Sequence, residues 1–149
     1  RKLAEQHMTR RPQTPMAAQY SLPFTVGATP AFGPDRFDAF EPDHLSDPRI
    51  LAWADRVAVE PDADLEALYP AQFGTQVEVT FVDGTRRVER VLDSVGTPAK
   101  PMTQEALRLK AKALVQGRLD DDGFERLAGL VHALSGATSL NALQLAFGT

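Results

Sequence analysis

Thr14-Pro-Met-Ala-Ala-Gln-Tyr-Ser-Leu-Pro-Phe-Thr-Val-Gly27 is the stretch that decides how the chain is read. Two helix-start signals, two aromatic residues and several small residues crowd into it. Thr14 before Pro15 has the form of an N-cap followed by proline at the first helical turn, where a missing N–H costs nothing. Ser21 before Pro23 offers a second cap, because proline inside a helix removes a hydrogen bond and breaks or kinks it. A kinked helical pair is therefore predicted. Tyr20, Ser21 and Phe24 would share one corner, with close backbone packing at Gly27 and Ala28. Two readings follow for that corner: a buried bend whose aromatics are ordinary core, or one wall of a binding site.

Composition narrows the classes. The 149 residues suffice for one domain, or a small domain with an appendage. With 43% hydrophobic and 24% charged residues and a net charge of -4, the chain has no basic footprint for nucleic acid. There is no cysteine, which excludes disulfides, thiolate metal sites and a cysteine nucleophile. No apolar run approaches the roughly 20 residues of a membrane span, and no signal peptide is visible, so neither nucleic acid nor membrane is an expected partner and the expected location is cytoplasmic. The chain opens at Arg1 in helix-like sequence, as a piece of something longer would.

Before the central stretch, residues 1–13 are basic and polar, and Leu3, His7 and Met8 allow one or two helical turns. His7 has no partner at metal spacing except Glu5, and reads as a solvated residue. After it, Pro30 to Asp47 is rich in turn formers and phenylalanine, which predicts a loop pinned to a surface. His44 lies there in Glu41-Pro-Asp-His-Leu45, as an exposed loop residue or as half of an acid–His pair. Asp47-Pro48 starts a short helix through Ile50, Leu51, Trp53 and Ala54, expected to lie against a sheet.

The alternation of Arg56-Val-Ala-Val-Glu60 predicts the first strand of that sheet, and residues 61–74 read as a connection. Asp83-Gly84 between two alternating runs, Thr75–Val82 and Thr85–Leu92, predicts a hairpin. A two-residue turn there would set Val79 opposite Val88 and Thr80 opposite Arg87, burying Val77, Val79, Phe81 and Val88 on one face. Beyond Gly96-Thr-Pro-Ala-Lys-Pro101 the pattern is helical. Thr103 caps a helix to about Gly117 with Leu107, Ala111, Leu114 and Val115 on one face. Asp120 to Asp122 open another carrying Phe124, Leu127, Ala128, Val131 and Leu134, with His132 at the edge of its stripe. Gly136 stops it, and Ser139 opens a last helix carrying Leu140, Leu143 and Phe147. The fold class is α+β: a smaller domain over residues 1–102 with a small antiparallel sheet, then C-terminal helices over 103–149 that need a helical partner.

The order of these features resembles the C-terminal part of the MmgE/PrpD family, which includes 2-methylcitrate dehydratase, cis-aconitate decarboxylase and iminodisuccinate epimerase. The likeness covers about residues 10–135. It is carried by Gln19-Tyr-Ser-Leu-Pro-Phe24, by Leu45-Ser-Asp-Pro48 with Ala54-Asp-Arg-Val57, by the Asp83-Gly84 hairpin, and by Gly96-Thr-Pro-Ala-Lys-Pro-Met-Thr103 leading to Lys110. Two positions depart: Lys100 stands where the family often has Asn, and Ala111 where it often has an aromatic.

The resemblance implies a two-domain lyase or isomerase acting on a small di- or tricarboxylate, as a homodimer without metal or organic cofactor. It places most catalytic residues in an N-terminal helical domain, and a further Lys and His upstream of Arg1, so no catalytic residue is assigned in this chain. Tyr20, Ser21 and Phe24 are the substrate-binding candidates. Members with Tyr at the position of Phe24 can use its hydroxyl, which Phe24 lacks. The helical domain would be a missing N-terminal part or a separate chain. The alternative reading is a non-catalytic α+β module that caps or recognises a partner.

Overall fold

The computed structural model describes residues 6–147, with the backbone alone for Phe147. The helical turn expected over Leu3, His7 and Met8 thus falls in part outside the described residues, as does the side chain of Phe147. The chain divides into two compact units, one ending at Pro101 and the next starting at Met102. Its class is α+β: helices with a two-stranded antiparallel sheet, and helices at the C-terminal end.

In the first unit, α1 (Pro15–Gln19) and α2 (Leu22–Phe32) form the kinked pair. Thr14 caps α1 by accepting from the Ala17 N–H at 3.1 Å, and Ser21 caps α2 by accepting from the Phe24 N–H at 3.0 Å. Both proline-bearing starts therefore form as their sequences predict. The second helix runs further than the turn formers suggest. Pro30 is held inside it, and the end comes at Gly33, whose φ of 95° suits a residue without Cβ. Two 3-10 turns, Phe37–Phe40 and Pro42–His44, then lead to α3 (Pro48–Ala54).

Helix α3 packs on α2 and not on a sheet. The core cluster is Ala18, Phe24, Ala28, Ala39 and Ile50, bordered by Ala31, Phe32, Phe40, Leu45 and Leu51. The two helices touch through backbone at Gly27: a Cβ there would lie 2.5 Å from the Ile50 carbonyl oxygen and 3.0 Å from the Ala54 nitrogen. Neither backbone atom can move aside as a flexible side chain would. Only glycine fits.

The expected strand at 56–60 does not form. The Val57 N–H closes the end of α3 on the Ala54 carbonyl, and the Val57 carbonyl accepts from the Arg10 guanidinium, so this backbone is committed elsewhere. A short helix α4 (Ala63–Leu68) occupies part of the expected connection, capped by Asp62, which accepts from the Asp64 and Leu65 N–H groups.

Among the described residues the sheet is the hairpin of β1 (Thr75–Thr80) and β2 (Arg86–Val91) alone. Its register pairs Val79 with Arg87, Glu78 with Val88 and Thr80 with Arg86, one residue from the two-residue-turn expectation. The Phe81 N–H bonds to the Thr85 carbonyl and Gly84 has φ 83°, so Val82, Asp83 and Gly84 make a three-residue loop with glycine at the left-handed position. A slip of one residue changes every side chain's face. Val88 accordingly points away from Val77, Val79 and Phe81, and all four are exposed instead of buried.

The second unit holds α5 (Gln104–Leu114), α6 (Asp121–His132), a 3-10 turn at Ala133–Gly136 and α7 (Asn141–Phe147). Thr103, Asp120 and Ser139 supply the expected start signals, accepting from Ala106, Gly123 and Asn141 N–H groups. Phe124 is buried beneath the Arg108 guanidinium, 5.1 Å from its ring centroid. Leu107, Leu114 and Val131 are about half exposed, and His132 is exposed. Among the described residues no helix is long and apolar enough to cross a membrane.

Two stability predictions follow from this packing. Gly27→Ala is expected to cost about 1–3 kcal/mol in denaturant unfolding, because the added methyl meets backbone on α3; an unchanged midpoint would refute the close approach. The second concerns acid. Asp47 caps α3 by accepting from the Arg49 N–H, and its bond to the Arg49 guanidinium holds its carboxyl at about 2, below the ordinary 3.8. A lowered carboxyl contributes stability that is present above its ordinary value and lost as pH falls through the folded one. Asp47→Ala should therefore cost about 1 kcal/mol at pH 7, with the difference from wild type vanishing between pH 4 and pH 2 in acid titrations.

Candidate functional site

The α1–α2 corner is where the sequence candidates meet. The bend decides which of them face inward. Ala18 of α1, the cap Ser21, and Phe24 and Ala28 of α2 are all buried, whereas Tyr20, where α1 ends, is 62% exposed. Phe24 is fully buried, its ring centroid 6.0 Å from that of Phe40. Ser21 is 1% exposed, and both capacities of its hydroxyl are used within the chain: it accepts from the Phe24 N–H and donates to the Thr9 carbonyl. Of the three candidates, Tyr20 alone presents its side chain at the surface.

Sequence reasoning missed the strap that crosses this corner. The Leu22 N–H donates to the His7 carbonyl at 2.9 Å, and Ser21 holds the Thr9 carbonyl two residues on. Arg10 then reaches the Val57 carbonyl at 2.7 Å, and Arg11 makes a two-point ion pair with Asp55 at 2.8 and 2.7 Å. Residues 7–11 are thereby tied to the start of α2 and to the chain just after α3. The strap sets the His7 ring beside the Tyr20 ring, with centroids 5.7 Å apart and planes tilted by 31°.

Charge at this unit is largely spoken for. Arg11 lowers the Asp55 carboxyl by a direct hydrogen bond, and Arg36 does the same to Asp38. Arg49 serves Asp47 and lies 4.8 Å from the Phe32 ring centroid, while Arg56 lies over Trp53. With Arg10 bonded to Val57, every arginine from residue 10 to residue 56 is engaged. His44 is half-buried, with its ring 4.8 Å from that of Phe32 and its Nδ1 2.7 Å from the Asp38 carbonyl. A carbonyl only accepts, so Nδ1 carries the proton in that bond. The partner is thus backbone, not the neighbouring acids of the loop. Among the described residues no three His, Asp or Glu side chains gather as a metal site requires.

Two open hollows lie elsewhere. One of about 280 Å³ is lined by Arg11, Pro42, Leu45 and Leu51, and one of about 360 Å³ in the second unit is bounded by Leu109, Lys112, Leu119 and Phe124. Neither includes Tyr20.

The comparison with protein families matches the MmgE/PrpD C-terminal domain to residues 2–135. The chain belongs to the MmgE/PrpD family. No curated protein matches it. The matched span of this MmgE/PrpD chain takes in the strap, the corner, α3, the hairpin, α5 and α6, so the whole corner belongs to the family's C-terminal domain.

The corner's side chains are expected to separate in a mutational test. Ser21→Ala removes a cap and leaves the Thr9 carbonyl without its donor, for a cost of about 1–3 kcal/mol in thermal or denaturant unfolding. Tyr20→Phe touches an exposed hydroxyl and should stay within about 0.5 kcal/mol of wild type. Equal losses for the two variants would contradict the division of this corner into a buried support and an exposed face.

Proposed function

We propose that this chain is the C-terminal part of an MmgE/PrpD lyase or isomerase acting on a small di- or tricarboxylate by dehydration, decarboxylation or epimerisation. The carrying observation is the family match over residues 2–135. Such reactions share a first step: loss of a proton beside a carboxylate, giving an enolate-like state that nearby donors or cations stabilise. In this proposal the α1–α2 corner is one wall of the substrate pocket. Tyr20 makes the contact, and Ser21 and Phe24 hold it in place from below. Helical sequence outside the chain, in a missing N-terminal part or a separate chain, closes the pocket and brings most of the acid–base groups. The working assembly is a cytoplasmic homodimer without metal or organic cofactor.

Two features support this division of labour. His7, His44 and His132 belong to three different elements, the strap, the second 3-10 turn and the end of α6, and none of them is paired with an acidic side chain by a hydrogen bond among the described residues. The helices of the second unit leave Leu107, Leu109, Leu114 and Val131 exposed, as surfaces that take a helical partner do.

Turnover tests the proposal. The purified 149-residue chain is expected to show no activity on citrate-like or aspartate-like substrates, since each general acid or base contributes about 10²- to 10⁴-fold. The protein isolated from its source with any chain that accompanies it should dehydrate, decarboxylate or epimerise at least one of them. Activity of the isolated chain, freed of any longer enzyme, would overturn the division of labour; inactivity of the native assembly on every such substrate would overturn the reading itself.

A further inference from the structure

The geometry points to His7 as a second carboxylate-contacting residue, paired with Tyr20 on the exposed side of the α1–α2 corner. This rests on the proposed carboxylate pocket and extends it to a residue that sequence reads as merely solvated. Three observations lead there.

First, the placement is built. His7 sits in a strap whose carbonyls at His7 and Thr9 accept from the Leu22 N–H and the buried Ser21 hydroxyl, and whose arginines are tied to Val57 and Asp55. A residue held by its own carbonyl and by the ties of the residues that follow it keeps its position at a small entropic cost.

Second, the pair has unused capacity. Among the described residues neither the His7 ring nor the Tyr20 hydroxyl makes a hydrogen bond, whereas His44 spends its Nδ1 on Asp38 and Ser21 spends its hydroxyl twice. An imidazole N–H and a phenol O–H are both donors, and the two oxygens of one carboxylate accept independently. With ring centroids 5.7 Å apart and planes 31° from parallel, the two rings are near enough for one carboxylate to take a bond from each.

Third, the competing cations are occupied. The arginines at 10, 11, 36, 49 and 56 already serve a carbonyl, three carboxylates and an indole. Each of them already has a partner that shares its charge, whereas the His7 ring and the Tyr20 hydroxyl have no hydrogen-bond partner among the described residues.

Citrate serves as the probe. The chain has three histidines, so a carbon–proton spectrum shows three imidazole Cε1–H signals, each assigned by a His→Gln variant. On titrating citrate into the intact 149-residue chain, the His7 signal is expected to move along a saturating curve while those of His44 and His132 stay in place. Tyr20→Phe, which removes an exposed hydroxyl and keeps the ring, should weaken the apparent affinity about tenfold, the size of one hydrogen bond to a charged group.

A His7 signal that stays fixed would overturn the pairing. So would an equal shift in sodium chloride of matched ionic strength, or a citrate curve unchanged by Tyr20→Phe. Binding is read here without turnover, so the two ideas fail separately. A silent His7 in a chain whose native assembly transforms carboxylates removes the pairing alone, and a responsive His7 in an assembly with no such activity removes the enzyme reading alone.

Discussion

The Ser21 hydroxyl is the interaction on which the corner depends. It accepts from the Phe24 N–H, which starts α2, and donates to the Thr9 carbonyl, which fastens the strap. At 1% exposure it has no water to fall back on, and an unpaired buried hydroxyl costs more than a formed bond returns. Both bonds are therefore needed at once. Meeting them fixes the angle between α1 and α2, carries Phe24 into the core against Phe40, and leaves Tyr20 outside. The same bend brings Gly27 to the α3 backbone, where Ile50 and Ala54 complete the packing. Cap, kink, core and surface are one arrangement.

Helix starts were legible because their signals are local. Thr14-Pro15, Ser21, Asp47-Pro48, Thr103, Asp120 and Ser139 each place an acceptor within reach of an N–H two or three residues on, and no distant part of the chain has to cooperate. The sheet was harder for the opposite reason. The alternation at 56–60 describes a strand only if an edge is free to receive it, and this backbone is bonded to Ala54 and Arg10. In the hairpin, Asp83-Gly84 suits a two-residue or a three-residue loop. The Asp83 carboxylate, which accepts from both the Thr85 N–H and its hydroxyl, favours the longer one and moves the register by one. The Asp-Gly-Thr run carried that clue, and the two-residue expectation passed over it.

Legibility of the site divides the same way. That Tyr20, Ser21 and Phe24 share a bend follows from the two caps. Which of them faces solvent does not, because the chain breaks at Ser21 and no single helical period runs from Ala18 through Tyr20 to Ala28. The strap was not legible. His7, Thr9, Arg10 and Arg11 bond to residues from 12 to 47 positions away, and nothing in a stretch of basic and polar residues announces such partners.

Charge then sets what this surface offers a ligand. A net charge of -4 opposes the approach of a di- or tricarboxylate, and the corner does not offset it with free guanidinium groups, since the arginines nearby are held by Asp47, Asp55, Asp38 and Val57. Those exposed ion pairs add little stability individually. Their consequence is electrostatic: each guanidinium is offset by its own acidic or carbonyl partner. In the proposed pocket, hydrogen-bond donors on this wall would orient a carboxylate without the full strength of an ion pair, and the stabilisation of developing negative charge would fall to groups outside this chain.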